Sequence, residues 1–160
     1  RGTAMHTFME YSNLENALIS PQEEINLLVQ KGYLTQLQAK SISIDYITKC
    51  LNTSIMQSFI KAKNKYKEVK FEVMVKASLT GFGDCDEEHM LRGSVDAAFE
   101  EDNQLIIIDY KTDRVNSIEE LKEKYSTQLS LYKLGLSATL NLPVKKCIIY
   151  SFYLNDFIEV

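Results

Sequence analysis

The apolar run QLIIIDYKT, residues 104–112, constrains the fold of this chain more than any other stretch. Its isoleucines favour a strand, and because the run shows no polar alternation, the strand is expected to be buried on both faces. A strand covered on both sides needs a layer above and a layer below it, which favours an α/β fold. Asp109 and Lys111 stand two positions apart at its end, so both side chains are expected to project from one face.

The first part of the chain favours short helices. Ser20, Thr35 and Ser54 each stand three positions before a glutamate or glutamine, which is the pattern of a capping box. Apolar residues at helical spacing predict a further helix through residues 1–18. Several short helices are therefore expected to fill residues 2–64.

Near Tyr66 the sequence begins to favour strands. Alternation in VKFEVMVKASL predicts one strand, TGFGDCDEEHM predicts a turn, and LRGSVDAAFEE predicts a second strand that joins residues 104–112 through the tight turn DN. A capping box at Ser117 opens a long helix that is expected to end before Pro143. VKKCIIYSFYL and FIEV predict the last two strands.

These elements predict an α/β fold with a central mixed sheet flanked by helices and a helical N-terminal part. A length of 160 residues suits one domain over residues 1–160, with residues 1–65 mainly helical and residues 66–160 forming the αβ core. The start RGTAMHTFME has neither an initiator Met nor the apolar segment of a signal peptide, so the chain is expected to be a piece of a longer protein. No apolar run is long enough to predict a transmembrane span.

Composition argues against several kinds of site. Cys50, Cys85 and Cys147 form no C-x-x-C pair, which argues against zinc, an iron–sulfur cluster or a disulfide framework and favours a reducing, cytoplasmic setting. A net charge of −4 argues against nucleic-acid binding by charge alone. The lysine-rich stretch KAKNKYKEVK, residues 61–70, is either a solvated face or a guide for a phosphate backbone.

Two carboxylates and a lysine are expected to meet at the end of the third strand. Asp96 lies thirteen residues before Asp109, so a hairpin around EEDNQ would place the two acids at neighbouring positions. Carboxylates this close repel unless a cation lies between them, and their oxygens suit Mg²⁺ or Mn²⁺. With Lys111 beside the cation, the set is suited to phosphodiester hydrolysis. The alternative is a pair of surface acids that Lys111 merely neutralises.

Four further residues are candidates for this site. Glu72 lies inside the apolar segment FEVMV, where a charged side chain needs a partner such as a metal site. Gln128 and Tyr132 are four residues apart on one face of the long helix, where they are placed to hold a phosphate or to support the lysine. Core packing is an equal alternative for Tyr132. His6 is either a metal ligand or a structural histidine.

The motifs GTAMH, FEV, LRGSVD, IIIDYKTD and YSTQLSLY, in this order, resemble the RecB-type nuclease family within the PD-(D/E)XK superfamily. Within that family they are most similar to the nuclease domains of AddAB-type helicase–nucleases. The resemblance extends from Gly2 to the final FIEV and implies a restriction-endonuclease-like core. The AddB partner carries four cysteines for an iron–sulfur cluster, and because this chain lacks that set, no cluster is expected in it.

The resemblance implies a role for each candidate residue. The implied ligands of Mg²⁺, for which Mn²⁺ would substitute, are three side chains and one main-chain atom: His6, Asp96, Asp109 and the backbone carbonyl of Tyr110. Lys111 would be the catalytic lysine. Glu72 would support the ligands or bind a second metal. Gln128 and Tyr132 match the motif Q-x-x-x-Y, which would support the active site and the DNA strand.

The resemblance also implies an activity, that of a Mg²⁺-dependent deoxyribonuclease. The chain would be the exonuclease domain of an ATP-dependent helicase–nuclease that processes double-strand DNA ends for recombinational repair. The helicase part of its own chain would deliver single strands to it, and an AddB-like subunit would be its partner. The domain by itself is expected to bind DNA weakly and without sequence preference. The alternatives are a non-cleaving DNA- or partner-binding module of the same fold and a stand-alone RecB-like exonuclease.

Overall fold

The computed structural model describes residues 2–80 and 87–160. Most of the predicted turn TGFGDCDEEHM, with Cys85, lies outside the described residues. Residues 2–61 form six helices, as the capping patterns predict: α1 (Gly2–Tyr11), α2 (Leu14–Ile19), α3 (Pro21–Gln30), α4 (Gln36–Ser41), α5 (Ile44–Leu51) and α6 (Ser54–Lys61).

Side-chain caps fix the ends of these helices. The Ser20 side chain accepts a hydrogen bond from the N–H of Glu23 and begins α3, with a proline at the first helical position. Thr35 and Gln38 form a complete capping box at the start of α4. Both of these predicted helix starts are confirmed.

Two predicted helix boundaries are wrong, and each has a local cause. The helix expected through residues 1–18 is divided in two because Asn13 caps α2, its side chain accepting a hydrogen bond from the N–H of Asn16. The cap of α6 is Thr53 rather than Ser54, since the Thr53 side chain accepts from the N–H of Met56. The division after α1 matters, because it lets α1 reach the sheet independently of α2.

The strands form one mixed sheet in sequence order: β1 (Lys65–Lys76), β2 (Glu88–Glu101), β3 (Gln104–Lys111), β4 (Val144–Ser151) and β5 (Asp156–Glu159). Neighbouring strands are antiparallel except β3 and β4, which are parallel. β1 ends earlier than predicted and runs into the short helix α7 (Ala77–Thr80). A parallel pair needs a crossover, and the long helix α8 (Ile118–Leu140) supplies the one between β3 and β4.

The hairpin between β2 and β3 sets the register at the functional end of the sheet. The turn residues 102–103 (Asp-Asn) have φ values of 53° and 59°, as a two-residue type I′ turn requires. Ala97 pairs with Ile108, so the next position along the two strands brings Asp96 beside Asp109. The predicted hairpin is confirmed.

The sheet is covered on both faces, which confirms the prediction from the isoleucine run. Helices α1 to α6 pack on one face, against Ile106 and Ile108. Helix α8 packs on the other face, against Leu105 and Ile107. Side chains at the end of β3 therefore lie between two layers and are largely sheltered from water.

Within the described residues, no helix is both long enough and apolar enough to cross a membrane. Cys50 and Cys147 are buried free thiols in the two cores. Burial raises the pKa of both thiols, to about 11 for Cys147. Both therefore remain protonated at neutral pH and serve as core side chains.

Candidate active site

Helix α1 brings His6 to the end of the central strand. The helix is anchored by Met5, Phe8 and Met9, which are buried in the helical layer. The His6 Nε2 atom lies 2.8 Å from the backbone carbonyl oxygen of Tyr110 and 3.5 Å from Asp96 Oδ2. Three of the four predicted metal-ligand groups are therefore in mutual contact.

The two aspartates lie on adjacent strands beside this contact. Asp96 Oδ2 accepts a hydrogen bond of 2.7 Å from the N–H of Tyr110, which fixes its carboxylate against β3. Asp109 is only 2% exposed. Burial is the main cause that raises the pKa of Asp109, to about 6, and the nearby Asp96 raises it further, while Lys111 opposes the shift.

Lys111 is held from several sides. Its side chain is 13% exposed, and its Nζ lies 2.6 Å from Asp109 Oδ2. The same nitrogen donates a hydrogen bond of 3.1 Å to Gln128 Oε1 and lies 4.0 Å from the ring centroid of Tyr125. Because these groups come from β3 and α8, two rigid elements fix the position of the ammonium group.

Gln128 and Tyr132 lie on one face of α8, as their spacing predicts. Gln128 Nε2 donates a hydrogen bond of 2.8 Å to the Tyr132 hydroxyl oxygen. Burial, followed by the charges of Asp109 and Asp96, raises the pKa of Tyr132 to about 12. Its hydroxyl therefore stays protonated at neutral pH, and the glutamine carbonyl remains directed at the lysine.

Glu68 lies at this site although the sequence did not single it out. β1 pairs Lys67 with Ala97 and Val69 with Val95, which places Glu68 across from Asp96. It has a φ of 49°, and its Oε2 accepts a hydrogen bond of 2.9 Å from the Ser94 hydroxyl. Burial is the first cause that raises the pKa of Glu68, and Asp96 adds to it. Its register with Asp96 would have revealed it, but the sequence does not fix that register.

The surroundings predicted for Glu72 are wrong. Its side chain is 56% exposed and forms an ion pair with Arg92, whose Nε lies 3.1 Å from Glu72 Oε2. Glu72 is paired with Arg92 across the strands, four residues along β2 from Asp96, which corresponds to about 13 Å. The partner of this carboxylate is therefore an arginine, because the residue lies on the open face of the hairpin.

Tyr125 is a second residue that the sequence did not single out. Its hydroxyl donates to the Asp113 carboxylate, with both oxygens at 3.1 Å, while its ring packs against the Lys111 ammonium group. The helical repeat on α8 assigns it only to the apolar face of that helix. Its role at the site depends on the path of the chain from β3 to α8.

Two lysines of the stretch 61–70 are used inside the molecule rather than on its surface. Lys65 Nζ lies 3.0 Å from Glu15 Oε1. Lys67 Nζ donates a hydrogen bond of 2.7 Å to the carbonyl oxygen of Ser12. Only the remaining lysines of this stretch are available as a guide for a phosphate backbone.

The donor atoms of the site fit a hard divalent cation. An imidazole nitrogen, a main-chain carbonyl oxygen and a carboxylate oxygen meet at one place, and the buried Asp109 Oδ2 beside them has no aligned hydrogen-bond donor. In residues 2–80 and 87–160, no three His, Cys, Asp or Glu side chains are arranged around a single point. Lys111, rather than a cation, is the charge that faces Asp109.

A mixed sheet that presents two aspartates and a lysine at adjoining strand ends, covered by helices on both faces, defines a nuclease of the PD-(D/E)XK class. Residues 1–156 match the PD-(D/E)XK nuclease superfamily, and the chain belongs to this superfamily.

Several curated relatives are named as the larger-letter counterpart of AddB, that is, as AddA-type chains of an ATP-dependent helicase/nuclease. The relative from Clostridium kluyveri is 35% identical over 159 residues, which cover 95% of this chain and 13% of that protein. The relative from Ruminiclostridium cellulolyticum is 34% identical over 167 residues, with 100% and 13% coverage. The solved protein SSO0001 is 16% identical, with a TM-score of 0.43 over 98% of this chain and 64% of its own. The chain thus spans 13% of the length of these two curated relatives.

Proposed function

We propose that this chain is a Mg²⁺-dependent deoxyribonuclease domain that hydrolyses phosphodiester bonds of single DNA strands. The observation that carries the proposal is the contact of His6, the Tyr110 carbonyl and Asp96 beside the buried Asp109–Lys111 pair. The ion would be held by these three groups and the Asp109 carboxylate. When bound, Mg²⁺ supplies Lewis-acid stabilisation of the negative charge on the phosphate.

Lys111 is the residue to which we assign the water. Its ammonium group is close enough to Asp109 that a water or phosphate oxygen at the metal ligands is also within its reach. Gln128 and Tyr125 restrict its movement, and such restriction matters because small displacements of a catalytic group cost large factors in rate. Gln128 is a positioning residue in this proposal, and Tyr132 positions Gln128.

Glu68 takes the place that the motif pattern assigned to Glu72. It is the acidic side chain of β1 that lies across from Asp96, and its raised pKa reflects partial burial beside other carboxylates. In this proposal Glu68 supports the ligand set from the side opposite Lys111. Glu72 serves only to hold Arg92.

The likeness to the helicase/nuclease chains supports a wider proposal. The chain would be the exonuclease domain of an AddAB-type helicase–nuclease that processes double-strand DNA ends for recombinational repair in the cytoplasm. The helicase part of the same polypeptide would deliver single strands, and an AddB-like subunit would complete the complex. What supports these statements is the 35% identity to a helicase/nuclease chain over 95% of this one.

The direct test is degradation of end-labelled single-stranded DNA with Mg²⁺, with Mn²⁺ and with EDTA. We expect metal-dependent cleavage by the wild type and a loss of about 10²–10⁴-fold in Lys111→Ala, the range of a positioned catalytic side chain. Lys145→Ala is the matched control, because that lysine pairs with Glu101 at the opposite end of the sheet and should cleave like the wild type.

Each outcome discriminates between the candidate functions. Cleavage by Lys111→Ala at the wild-type rate would contradict the role of the lysine. DNA binding by the wild type without cleavage under any metal condition would favour the alternative of a non-cleaving module. Calorimetry with Mn²⁺ on the wild type and on Asp109→Ala separates loss of the metal from loss of chemistry.

A further inference from the structure

A groove opens beside Lys111 on the α8 side of the sheet, and no step of the proposed cleavage uses it. It encloses about 520 Å³ between the β1–β2 hairpin and α8, within the range of about 300–1,000 Å³ typical of small-molecule sites. Its walls are mainly aromatic rings and leucines, with an arginine: Phe71, Leu91, Arg92, Tyr125, Leu131 and Tyr132.

The groove is continuous with the catalytic lysine. Gln128 lines it, and the same side chain accepts the hydrogen bond from Lys111. Tyr125 also lines it while its ring lies 4.0 Å from the Lys111 Nζ. A molecule in the groove therefore lies next to whatever is bound at the lysine.

The floor of the groove is a fixed aromatic ring. Phe71 is 4% exposed and lies between two glycines on facing elements. A Cβ atom at Gly93 would come within 2.4 Å of the ring, and a Cβ atom at Gly135 within 2.3 Å. The ring of Tyr132 meets the ring of Phe71 edge-on, at 6.0 Å between centroids. The surroundings thus present flat, apolar surfaces of constant position.

A positive charge stands at the rim. The Arg92 side chain is 67% exposed, and its guanidinium group faces the Glu72 carboxylate at 3.1 Å. An exposed ion pair of this kind contributes little free energy, so the arginine is able to exchange its partner. Guanidinium groups bind phosphate oxygens well because their donors match that geometry.

We propose that this groove receives one unpaired base of the DNA strand, next to the phosphate that is cut, and that Arg92 binds a neighbouring phosphate. The inference rests on the proposed function and names the subsite that makes the substrate single-stranded. Stacking on apolar and aromatic surfaces accepts any base, because every base has a π-face. A base inside a duplex is stacked and paired on both sides, so it cannot enter.

A segment of protein is a less suitable occupant. The groove has one end at the catalytic lysine and a cation at its rim, and both features match the phosphates on either side of a nucleotide. The described walls contain no carboxylate that would bind a basic peptide, since Glu72 lies behind Arg92. A competing peptide would leave the effect of a missing base unexplained.

The test is binding of fluorescent single-stranded oligonucleotides in EDTA, so that no cleavage interferes. One nucleotide at a time is replaced by an abasic residue across the bound region, and affinity is read from fluorescence anisotropy. We expect one position, or two adjacent ones, to lose roughly tenfold in affinity, as the loss of one stacked base does. All other abasic positions should bind within about twofold of the intact strand, since their backbones are unchanged.

Variants of the groove should remove this sensitivity. Leu131→Trp fills the groove, so it should bind the intact strand roughly tenfold more weakly and show no position sensitive to base loss. Arg92→Gln should weaken all oligonucleotides alike, because phosphate contacts carry no information on the base. Leu37→Trp is the matched control, since Leu37 is 80% exposed on α4, and it should keep the wild-type pattern.

The failure of this inference is distinguishable from that of the proposed function. Equal affinity at every abasic position, an unchanged pattern in Leu131→Trp, or no strand binding by the wild type would overturn the groove. If Leu131→Trp does not fold, the abasic pattern of the wild type and of Arg92→Gln decides. Absence of cleavage with Mg²⁺, together with a preserved abasic pattern in EDTA, would overturn the nuclease proposal but support base binding.

Discussion

Glu68 and Glu72 stand four residues apart on β1, and their surroundings give them different capacities. Glu68 lies across from Asp96 and accepts a hydrogen bond from Ser94. Glu72 is exposed and paired with Arg92. Both are acids in a predicted strand, and only the pairing of β1 with β2 distinguishes them. Strand register depends on tertiary packing, so the sequence alone could not show which glutamate lies across from Asp96.

Matched amide substitutions test this distinction. Glu68→Gln should lower the rate of metal-dependent cleavage at least tenfold, because it removes a carboxylate that supports the ligand set. Glu72→Gln should keep kcat at saturating DNA within about twofold, since its carboxylate is far from Asp96. The measurement is single-strand cleavage with Mg²⁺ for both variants. The reverse order of effects would restore Glu72 to the site and remove Glu68.

Lys67 gives a prediction for stability against pH. Burial lowers the pKa of Lys67 to about 8 from 10.5. Between these values the unfolded chain binds more protons than the folded one, so the stability contributed by Lys67 rises with pH through that window. Below about pH 8 both states carry the charge, and the cost of burying it is fully present.

Unfolding by urea at pH 7.5 and pH 10 measures this effect. The free energy of unfolding of the wild type minus that of Lys67→Met should become more favourable to the wild type by about 2 kcal/mol at the higher pH. The same comparison for Lys40→Met, a change at an exposed lysine, should show no such trend. A difference that stays constant with pH would mean that Lys67 keeps an ordinary pKa.

At the scale of elements, signals confined to a few residues predicted most of the fold. Capping boxes predicted the starts of α4 and α8, and the isoleucine run predicted a strand buried on both faces. The break at Asn13 was missed because helical spacing continues across it, and an asparagine there is equally compatible with a helix interior. The end of β1 at Lys76 was missed because the alternation continues into α7.

The contact of α8 with β1 gives a prediction at the same scale. Gly135→Ala should destabilise the protein by about 1–3 kcal/mol, because the new Cβ meets the Phe71 ring. This sign is opposite to the gain of about 1 kcal/mol expected from helix propensity alone. Chemical denaturation measures it, with Lys133→Ala as a control on the exposed face of α8.

A second substitution checks the cause of that effect. Phe71→Leu should reduce the cost of Gly135→Ala in the double variant, because the smaller side chain leaves room for the methyl group. Strict additivity of the two substitutions would mean that the glycine is required for another reason.

For the whole molecule, the site is a joint between the layers. His6 comes from the helical layer, Tyr110 and Asp109 from the sheet, and Gln128 from the layer formed by α8. The sequence located these residues through the order of motifs in a family resemblance, because positions more than a hundred residues apart have no local signature. Tyr125 and Arg92 escaped, since they belong to no such motif and acquire their surroundings only through packing.

A cation bound at this joint should stabilise the folded protein. At a free Mn²⁺ concentration of a hundred times its Kd, binding contributes about 2.7 kcal/mol, which for a chain of this size raises the Tm by roughly 5–10 °C. The shift should be lost in His6→Ala and Asp109→Ala and kept in Lys145→Ala. Differential scanning calorimetry measures it without any cleavage. Equal shifts in all four proteins would place the bound Mn²⁺ elsewhere.

The position of His6 has a practical consequence for spectroscopy. The chain contains only two histidines, His6 and His89. One ring touches the carbonyl oxygen of Tyr110 at the proposed catalytic centre, while the other lies exposed on β2. Two imidazole resonances in a nuclear magnetic resonance spectrum therefore report the site and an internal reference in one sample. No label needs to be attached to follow events at this end of the sheet.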